Sequence, residues 1–314
     1  GCMWRVVLRF LIIFILGRAV FPLRASESFS WETSTCLTVL GIPFIDIILT
    51  TNEDFVAQCG LQIGTISSTN NAKIKEIFLI YKEKFPEASI SFKRKEPLNL
   101  SQSHLSDLGI LCMRNGETYA EGMANKENGP ALKQPKDLRL VLRCPNQPDT
   151  LLYSEKEAEK GIETNTCLCN QGYTLLDGQL ILYGDSIEKF LKETKRKNNH
   201  TLVDLCDSQV VTTFLGRFWS LLNYVQVLFL SEDSAKILAG IPDLAQATQL
   251  LSHTVPLLFI YTNDSIHIIE QGKESSFTYN QDLTEPILGF LFGYINRGSM
   301  EYCFNCAQSS LGET

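Results

Sequence analysis

The sequence predicts an α/β protein that has two folded units and is cross-linked by disulfide bonds. Three observations lead to this prediction: apolar residues recur at strand and helix spacing, an apolar leader precedes them, and ten cysteines occur in 314 residues. The formal net charge is −7, from 28 Lys and Arg against 35 Asp and Glu. Because the single basic cluster, residues 192–200, has no interleaved aromatic residues, the composition argues against nucleic acid as a partner.

The first 25 residues have the layout of a secretory signal peptide. Arg5 and Arg9 precede an unbroken apolar run at residues 10–16, and Ala25 closes the expected cleavage region. The run is shorter than the ~20 residues that span a bilayer, although an uncleaved signal anchor remains the alternative. We therefore expect a protein of the secretory pathway, in the endoplasmic reticulum lumen or outside the cell, with no membrane span after the signal.

Residues 31–150 are predicted to form a strand-rich N-terminal α/β domain. Residues 42–50 are an apolar, β-branched run of strand length, and residues 138–143 alternate as a strand does. Apolar side chains at spacings of three and four predict a helix at residues 71–85, which Pro86 ends. Further strands are predicted at residues 63–67, 88–93, 109–113 and 118–120, the last two around an Asn-Gly turn. Residues 151–200 are charged and are expected to form a linker with short helices and a Cys-x-Cys loop.

Nine cysteines remain after removal of the signal peptide, which is an odd number. In an oxidising compartment most of them are expected to pair, and Cys206 is the candidate for a free thiol. The two close pairs, Cys167/Cys169 and Cys303/Cys306, have different spacings, and the four histidines are scattered, so no metal site is expected. The candidates for disulfide bonds are Cys36, Cys59, Cys112, Cys144, Cys167, Cys169, Cys303 and Cys306.

Three Asn-x-Ser/Thr tripeptides agree with the secretory route. They begin at Asn99, Asn199 and Asn263, and we expect each to accept a glycan on an exposed loop.

The order of predicted elements in residues 201–298 is strand, helix, strand, helix, strand, strand, helix. This segment resembles the thioredoxin-like superfamily. In particular, Leu202-Val203-Asp204-Leu205 is similar to the first core strand of that family, which contains a buried acid. Residues Thr254, Val255 and Pro256 look like the turn before the family's cis-proline. The resemblance implies a C-terminal thioredoxin-like domain with a cis Val255–Pro256 bond, followed by a tail at residues 299–314.

The segment departs from that family at the redox site. The two positions where the family has its Cys-x-x-Cys pair are occupied by Val210 and Thr213, so dithiol exchange is not expected there. The resemblance implies a redox-inactive domain that binds a protein partner or client polypeptide, without a cofactor. Two alternatives remain: a thiol–disulfide oxidoreductase using Cys303/Cys306 or Cys167/Cys169, and an extracellular recognition protein of unrelated α/β fold.

Enzyme motifs are sparse. No G-x-S-x-G, G-x-G-x-x-G, Walker or H-E-x-x-H pattern occurs. Asp46 is interpreted as a strand carboxylate rather than a catalytic acid, and Glu232 and Asp233 as a solvated loop, although they follow a strand where α/β sheets place ligand-binding groups.

Overall fold

A computed structural model describes residues 36–41, 44–95, 98, 100, 104, 108, 111–114, 117–119, 137–154, 172–280 and 282–309. The expected signal peptide, the sequon at Asn99 and the Cys167/Cys169 pair lie outside these residues. Localisation therefore stays a prediction. No helix in the described part of the chain is long and apolar enough to cross a membrane.

Fourteen strands are present in the described residues, and they form two sheets. The strands are β1 Cys36–Leu40, β2 Phe44–Thr50, β3 Ile66–Thr69, β4 Ile90–Lys95, β5 Leu111–Arg114, β6 Glu117–Tyr119, β7 Asp137–Arg143, β8 Thr150–Ser154, β9 Tyr173–Asp177, β10 His200–Leu205, β11 Val227–Ser231, β12 Leu257–Tyr261, β13 Ser265–Glu270 and β14 Lys273–Thr278.

The large sheet has the order β14-β13-β12-β11-β10-β9-β1-β5-β6. Its middle strands, from β12 to β5, are parallel, and antiparallel pairs form both ends. Parallel neighbours need long crossover connections, so β1 joins β5 and β9 although both are distant in sequence. This sheet takes strands from both sides of the boundaries expected at residues 150 and 201.

The small sheet has the order β3-β8-β7-β2-β4 and mixes parallel and antiparallel pairs. One face packs on two helices. A separate apolar cluster that includes Phe55, Ile77 and Tyr81 lies between this face and the helices. The other face of the small sheet is directed toward the large sheet and carries charged side chains. A sheet with one apolar and one polar face gives the alternating pattern that the sequence shows at residues 138–143.

The helices of the described residues begin with side-chain caps at several points. Asn52, Asn70, Asp207, Ser231 and Asp243 each accept a hydrogen bond from a backbone N–H of the first turn. The helices are α1 Glu53–Gln58, α2 Asn71–Lys84, α3 Ser186–Arg196, α4 Ser208–Thr213, α5 Leu215–Leu221, α6 Glu232–Ala239, α7 Leu244–Ser252, α8 Thr284–Ile295 and α9 Met300–Ser309.

Helices cover both faces of the large sheet. One apolar cluster includes side chains of α3 to α7, and the other includes side chains of α8 and α9. Helix α8 packs closely on α9, because a Cβ atom at Gly289 would lie 2.3 Å from the carbonyl oxygen of Cys306. Strands β11 and β12 are buried on both sides, which explains their unbroken apolar runs.

The thioredoxin-like expectation is wrong. Strand β12 pairs with β13 and β11, but β10 continues through β9 to β1 and β5 in a single nine-stranded sheet. No cis peptide bond occurs among the described residues, so the Val255–Pro256 bond is trans and Thr254, Val255 and Pro256 do not form a cis-proline loop.

The expectation of a disulfide-stapled chain is also wrong for the described thiols. Cys59, Cys144, Cys206, Cys303 and Cys306 are free thiols. The two apolar clusters on the large sheet and the third under the small sheet stabilise the fold instead.

Candidate functional site

A pocket of about 440 Å³ lies between the two sheets. Strands β9 and β10 end at this pocket, and the polar face of the small sheet covers it. In open α/β sheets, ligands bind beyond the carboxyl ends of the parallel strands, so this is the expected place for a site. Its charged lining comes from Asp46, Lys93, Lys95, Arg139, Arg143, Asp149, Asp177, Asp204 and Asp207.

The small sheet contributes a buried ion pair to the pocket. Asp46 on β2 and Arg139 on β7 are register partners, and they are 3% and 5% exposed. The Arg139 guanidinium donates to both carboxylate oxygens of Asp46, with Nε at 2.6 Å and a terminal nitrogen at 3.0 Å. Its other terminal nitrogen donates to Gln179 at 2.6 Å, and its plane lies over the ring of Phe44. These contacts fix the orientation of both the Asp46 carboxylate and the Arg139 guanidinium.

The large sheet contributes two carboxyl groups, one buried and one half-buried. Asp177 ends β9, and its register partner on β10 is Asp204. The Asp177 carboxyl accepts from the backbone N–H of Gln179, and Asp204 accepts from the N–H groups of Leu98 and Cys206. Burial, reinforced by the charge of Asp204, raises the pKa of Asp177 to about 7. Burial also raises the pKa of Asp204.

Gly178 allows these two strand ends to lie close together. A Cβ atom there would be 2.5 Å from the carbonyl oxygen of Asp204 and 2.4 Å from Leu205. A larger residue would push the Asp177 turn away from β10. The glycine therefore sets the spacing of the two carboxyl groups.

Helix α4 links the two walls of the pocket. Asp207 caps it and lies 3.6 Å from Arg139, across the pocket. The Gln209 side-chain amide donates to the backbone carbonyl oxygens of Gly64, at 3.3 Å, and of Asp149, both next to the small sheet. These contacts hold the small sheet over the carboxyl ends of β9 and β10.

Cys206 and Tyr261 line the pocket beside Asp204. Burial and the neighbouring Asp204 raise the pKa of the Cys206 thiol well above its ordinary value, and burial likewise raises the pKa of Tyr261. Both groups are therefore neutral at physiological pH and act as hydrogen-bonding partners rather than as nucleophiles. No cluster of metal-ligating side chains is found within the described ranges.

The remaining expected site residues lie away from the pocket. Cys303 and Cys306 are buried on α9, where burial raises the pKa of Cys303 to about 12. Because exchange needs a thiolate, the oxidoreductase alternative is not supported at this pair. The expected cysteines Cys36, Cys59 and Cys144 lie in or beside β1, α1 and β7.

The sequon at Asn199 does not lie on an exposed loop. Asn199 is 7% exposed, its side-chain Oδ1 accepts from the backbone N–H of Gly172, and its Nδ2, the atom that would carry a glycan, is buried. Asn263 lies in the exposed turn between β12 and β13. Glu232 and Asp233 line a smaller pocket that also includes Tyr261 and Tyr279, rather than forming only a solvated loop.

Sequence reasoning missed most of the pocket. Asp46 was interpreted as a strand carboxylate and Asp204 as a buried acid of a thioredoxin strand, while Asp177 and Arg139 were not selected. The available signal was an aspartate inside or at the end of an otherwise apolar strand, as in FIDIILT, YTLLD and HTLVDL. Such an acid needs a partner or a function, because burying an unpaired carboxylate is costly.

The architecture is that of a parallel-rich α/β protein whose second, smaller sheet covers the ligand-binding edge. Solved structures with this fold include adenosine kinase from Sinorhizobium meliloti (TM-score 0.61, 16% identity, 89% of this chain and 93% of that chain). Adenosine kinase from Schistosoma mansoni in complex with 2-fluoroadenosine gives a TM-score of 0.57 at 12% identity, over 89% and 94% of the two chains. Arabidopsis thaliana ribokinase complexed with ribose and ATP gives a TM-score of 0.51 at 14% identity, over 89% of this chain and 92% of that chain.

These comparisons correct the earlier interpretation at the level of the fold. The chain has the fold of the sugar and nucleoside kinases, not that of thioredoxin. The prediction of a protein partner or client depended on the thioredoxin resemblance and is wrong with it. The similar structures from Schistosoma mansoni and Arabidopsis thaliana are complexes with small molecules. No family model matches the sequence, and no curated protein sequence matches it.

Proposed function

We propose that the protein binds a hydroxyl-rich small molecule, a sugar or a nucleoside, in the pocket between the two sheets. The observation that carries this proposal is the pair of neighbouring carboxyl groups, buried Asp177 and half-buried Asp204, at the strand ends beneath the small sheet. Carboxylates accept hydrogen bonds from hydroxyl groups, and protonated carboxyl groups also donate them. The pocket volume, about 440 Å³, is in the range of small-molecule sites.

The polar side chains around this pair support the same ligand class. Gln179, Ser208 and Gln209 line the pocket beside the carboxyl groups and offer both donors and acceptors. Similar structures bind adenosine analogues or ribose, which agrees with the proposal although the low identity limits that comparison to the fold.

The test is isothermal titration of the full chain with ribose and with adenosine. Saturable binding of either ligand is expected, and Asp204→Asn is expected to weaken it at least tenfold, because Asp204 would no longer be an ionisable acceptor. Asp185→Asn is the matched control, since Asp185 is exposed and pairs with Lys189 on the surface. The proposal is wrong if neither these ligands nor their phosphorylated forms bind, or if both variants weaken binding equally.

Phosphoryl transfer to the bound ligand is a second candidate. It is favoured by Asp177, whose pKa of about 7 suits a group that removes a proton from a hydroxyl near neutral pH. Against it, the helices that follow β10 and β11 begin with carboxylates of their own, Asp207 before α4 and Glu232 and Asp233 in α6. Helix N-termini bind phosphate when their N–H groups are free. Binding is therefore the first proposal.

This second candidate is tested by adding Mg·ATP and the ligand to the full chain and measuring ADP formation. Ligand-dependent ADP that is lost in Asp177→Asn and retained in Asp185→Asn would establish transfer. ADP formation that does not depend on the ligand, or none at all, would leave a binding protein.

A further inference from the structure

The pocket wall formed by the small sheet is cationic. Lys93 and Lys95 lie two residues apart on β4, so both side chains point to the same face. Lys93 is the register partner of Asp46, and Asp46 is in turn the partner of Arg139 on β7. A row of three charged side chains thus crosses the face that covers the carboxyl ends of β9 and β10.

The two lysines have no carboxylate of their own in the described part of the chain. Both oxygens of Asp46 accept from Arg139, and Arg143 is paired with Asp149 at 2.8 Å. No hydrogen bond or ion pair joins Lys93 or Lys95 to another described residue. Lys95 is half-buried, and burial together with the charge of Lys93 lowers its pKa. Two neighbouring cations that repel each other at the edge of a pocket are arranged to bind an anion.

The opposite wall does not present two full negative charges to such an anion. Because burial raises the pKa of both Asp177 and Asp204, these groups retain protons near neutral pH to a greater extent than exposed carboxylates do. Protonated carboxyl groups can donate to ligand hydroxyls. One ligand can therefore meet cations on one side and hydrogen-bonding carboxyl groups on the other.

We infer that the ligand of this pocket carries an anionic group, a phosphate or a carboxylate, which Lys93 and Lys95 bind while its hydroxyls lie against Asp177 and Asp204. The ligand class is then a sugar phosphate, a sugar acid or a nucleoside monophosphate. This inference rests on the proposed function and narrows its ligand class. Lys93 is exposed and Lys95 is half-buried, which places the anionic group toward the mouth of the pocket.

The alternative is that the lysines interact only with the aspartates across the pocket. Asp207 is the carboxylate on that side whose charge reaches Lys95, and it also forms an ion pair with Arg139 at 3.6 Å. It already caps α4 by accepting from Gln209 and Val210. In that case the lysines would contribute equally to neutral and anionic ligands.

The test compares matched ligand pairs by isothermal titration with the full chain. The pairs are ribose with ribose 5-phosphate, adenosine with adenosine 5′-monophosphate, and glucose with gluconate, so that phosphate and carboxylate are distinguished. We expect at least one anionic member to bind tenfold or more tightly than its neutral partner, and this difference to shrink as salt is added.

Lys95→Met and Lys93→Met keep the apolar stem and remove the charge. Each is expected to weaken the anionic ligand about tenfold and to change the neutral ligand less than twofold, while Lys192→Met, on an exposed position of α3, changes neither. Thermal unfolding of each variant shows that it is folded. Equal affinity within every pair, or lysine variants that affect both members alike, would overturn the inference and leave the proposed function standing. Absence of binding by every ligand would overturn both.

Discussion

The two sheets of this protein bury their strands in different ways. In the large sheet, β11 and β12 are covered by helices on both faces, and four of the five side chains in each are buried. In the small sheet, β2 and β7 bury Ile47 and Leu140 against α1 and α2, and they turn Asp46 and Arg139 toward the pocket. A charged residue within a strand thus indicates a face of the sheet that does not pack in the apolar core and that can line a pocket instead.

The difference also concerns energy. Apolar side chains between helices and a sheet contribute by leaving water, whereas a buried ion pair roughly offsets its own desolvation. The large sheet should therefore supply most of the stability, and the small sheet most of the specificity of the pocket. Four substitutions or conditions separate these contributions.

The largest effect is expected in the large sheet. Phe259→Ala should destabilise the protein by about 3–5 kcal/mol, because a large buried side chain is replaced by a cavity. Its ring centroid lies 5.2 Å from that of Phe229 and 5.3 Å from that of Phe290. Urea denaturation measures the loss. The matched control is Phe92→Ala on β4, which is 62% exposed and should cost less than 1 kcal/mol; equal losses would contradict the comparison.

In the small sheet, Arg139→Met should destabilise by roughly 3 kcal/mol, because Asp46 is left buried without its partner. The double variant Asp46→Leu/Arg139→Met should recover most of this loss, since it removes both charges. Arg143→Met is the control: its pair with Asp149 is half-exposed and is worth less than about 1 kcal/mol. A double variant as unstable as the single one would show that the pair itself stabilises the fold.

Gly178→Ala tests the close approach of β9 and β10 at the pocket. The added Cβ meets the carbonyl oxygen of Asp204, so a loss of about 1–3 kcal/mol is expected together with weaker ligand binding. Gly216→Ala is the control, because nothing lies within 4 Å of a Cβ atom there and alanine favours a helix by up to about 1 kcal/mol. Thermal unfolding and titration measure both effects; unchanged binding in Gly178→Ala would separate the glycine from the site.

The smallest effect is a dependence of stability on pH. The pKa of Asp177 is about 7 in the folded protein, above its ordinary value of 3.8, so the folded state holds a proton that the unfolded state releases. Stability from this group is present below pH 4 and is lost as the pH rises toward 7.

Across this window stability should fall by about 1 kcal/mol for each pH unit. Asp177→Asn should reduce the slope without removing it, because the pKa of Asp204 is raised in the same direction. Asp185→Asn is the control, since Asp185 lies on the surface. Urea denaturation at several pH values measures the slope, and a slope unchanged in Asp177→Asn would assign the pH dependence to other groups.

Much of the local structure could be predicted from the sequence. The helix predicted at residues 71–85 is α2, and the strands predicted at residues 42–50 and 138–143 are β2 and β7. These elements have long periodic patterns or clear end signals. Strands β1, β8 and β9 were missed, because each has only five residues and lies next to charged or cysteine-containing segments that favoured other interpretations.

The arrangement of residues 201–296 was predicted locally and misassigned globally. Strands β11, β12 and β13 follow the expected element order and pair with one another along the chain. What distinguishes the fold is the other neighbour of β10, which is β9 and then β1, strands that lie far away in the sequence. A local order of elements does not contain that information.

The sequence by itself determined where the long, periodic helices and strands form and which strands are apolar throughout or alternate with charges, because these properties depend on the period of neighbouring side chains. Only the tertiary structure decided which charges meet. Asp46 and Arg139 are 93 residues apart, and Asp177 and Asp204 become neighbours through a parallel crossover. Burial then raises the pKa of the two carboxyl groups, and that desolvation exists only when the two sheets enclose the pocket.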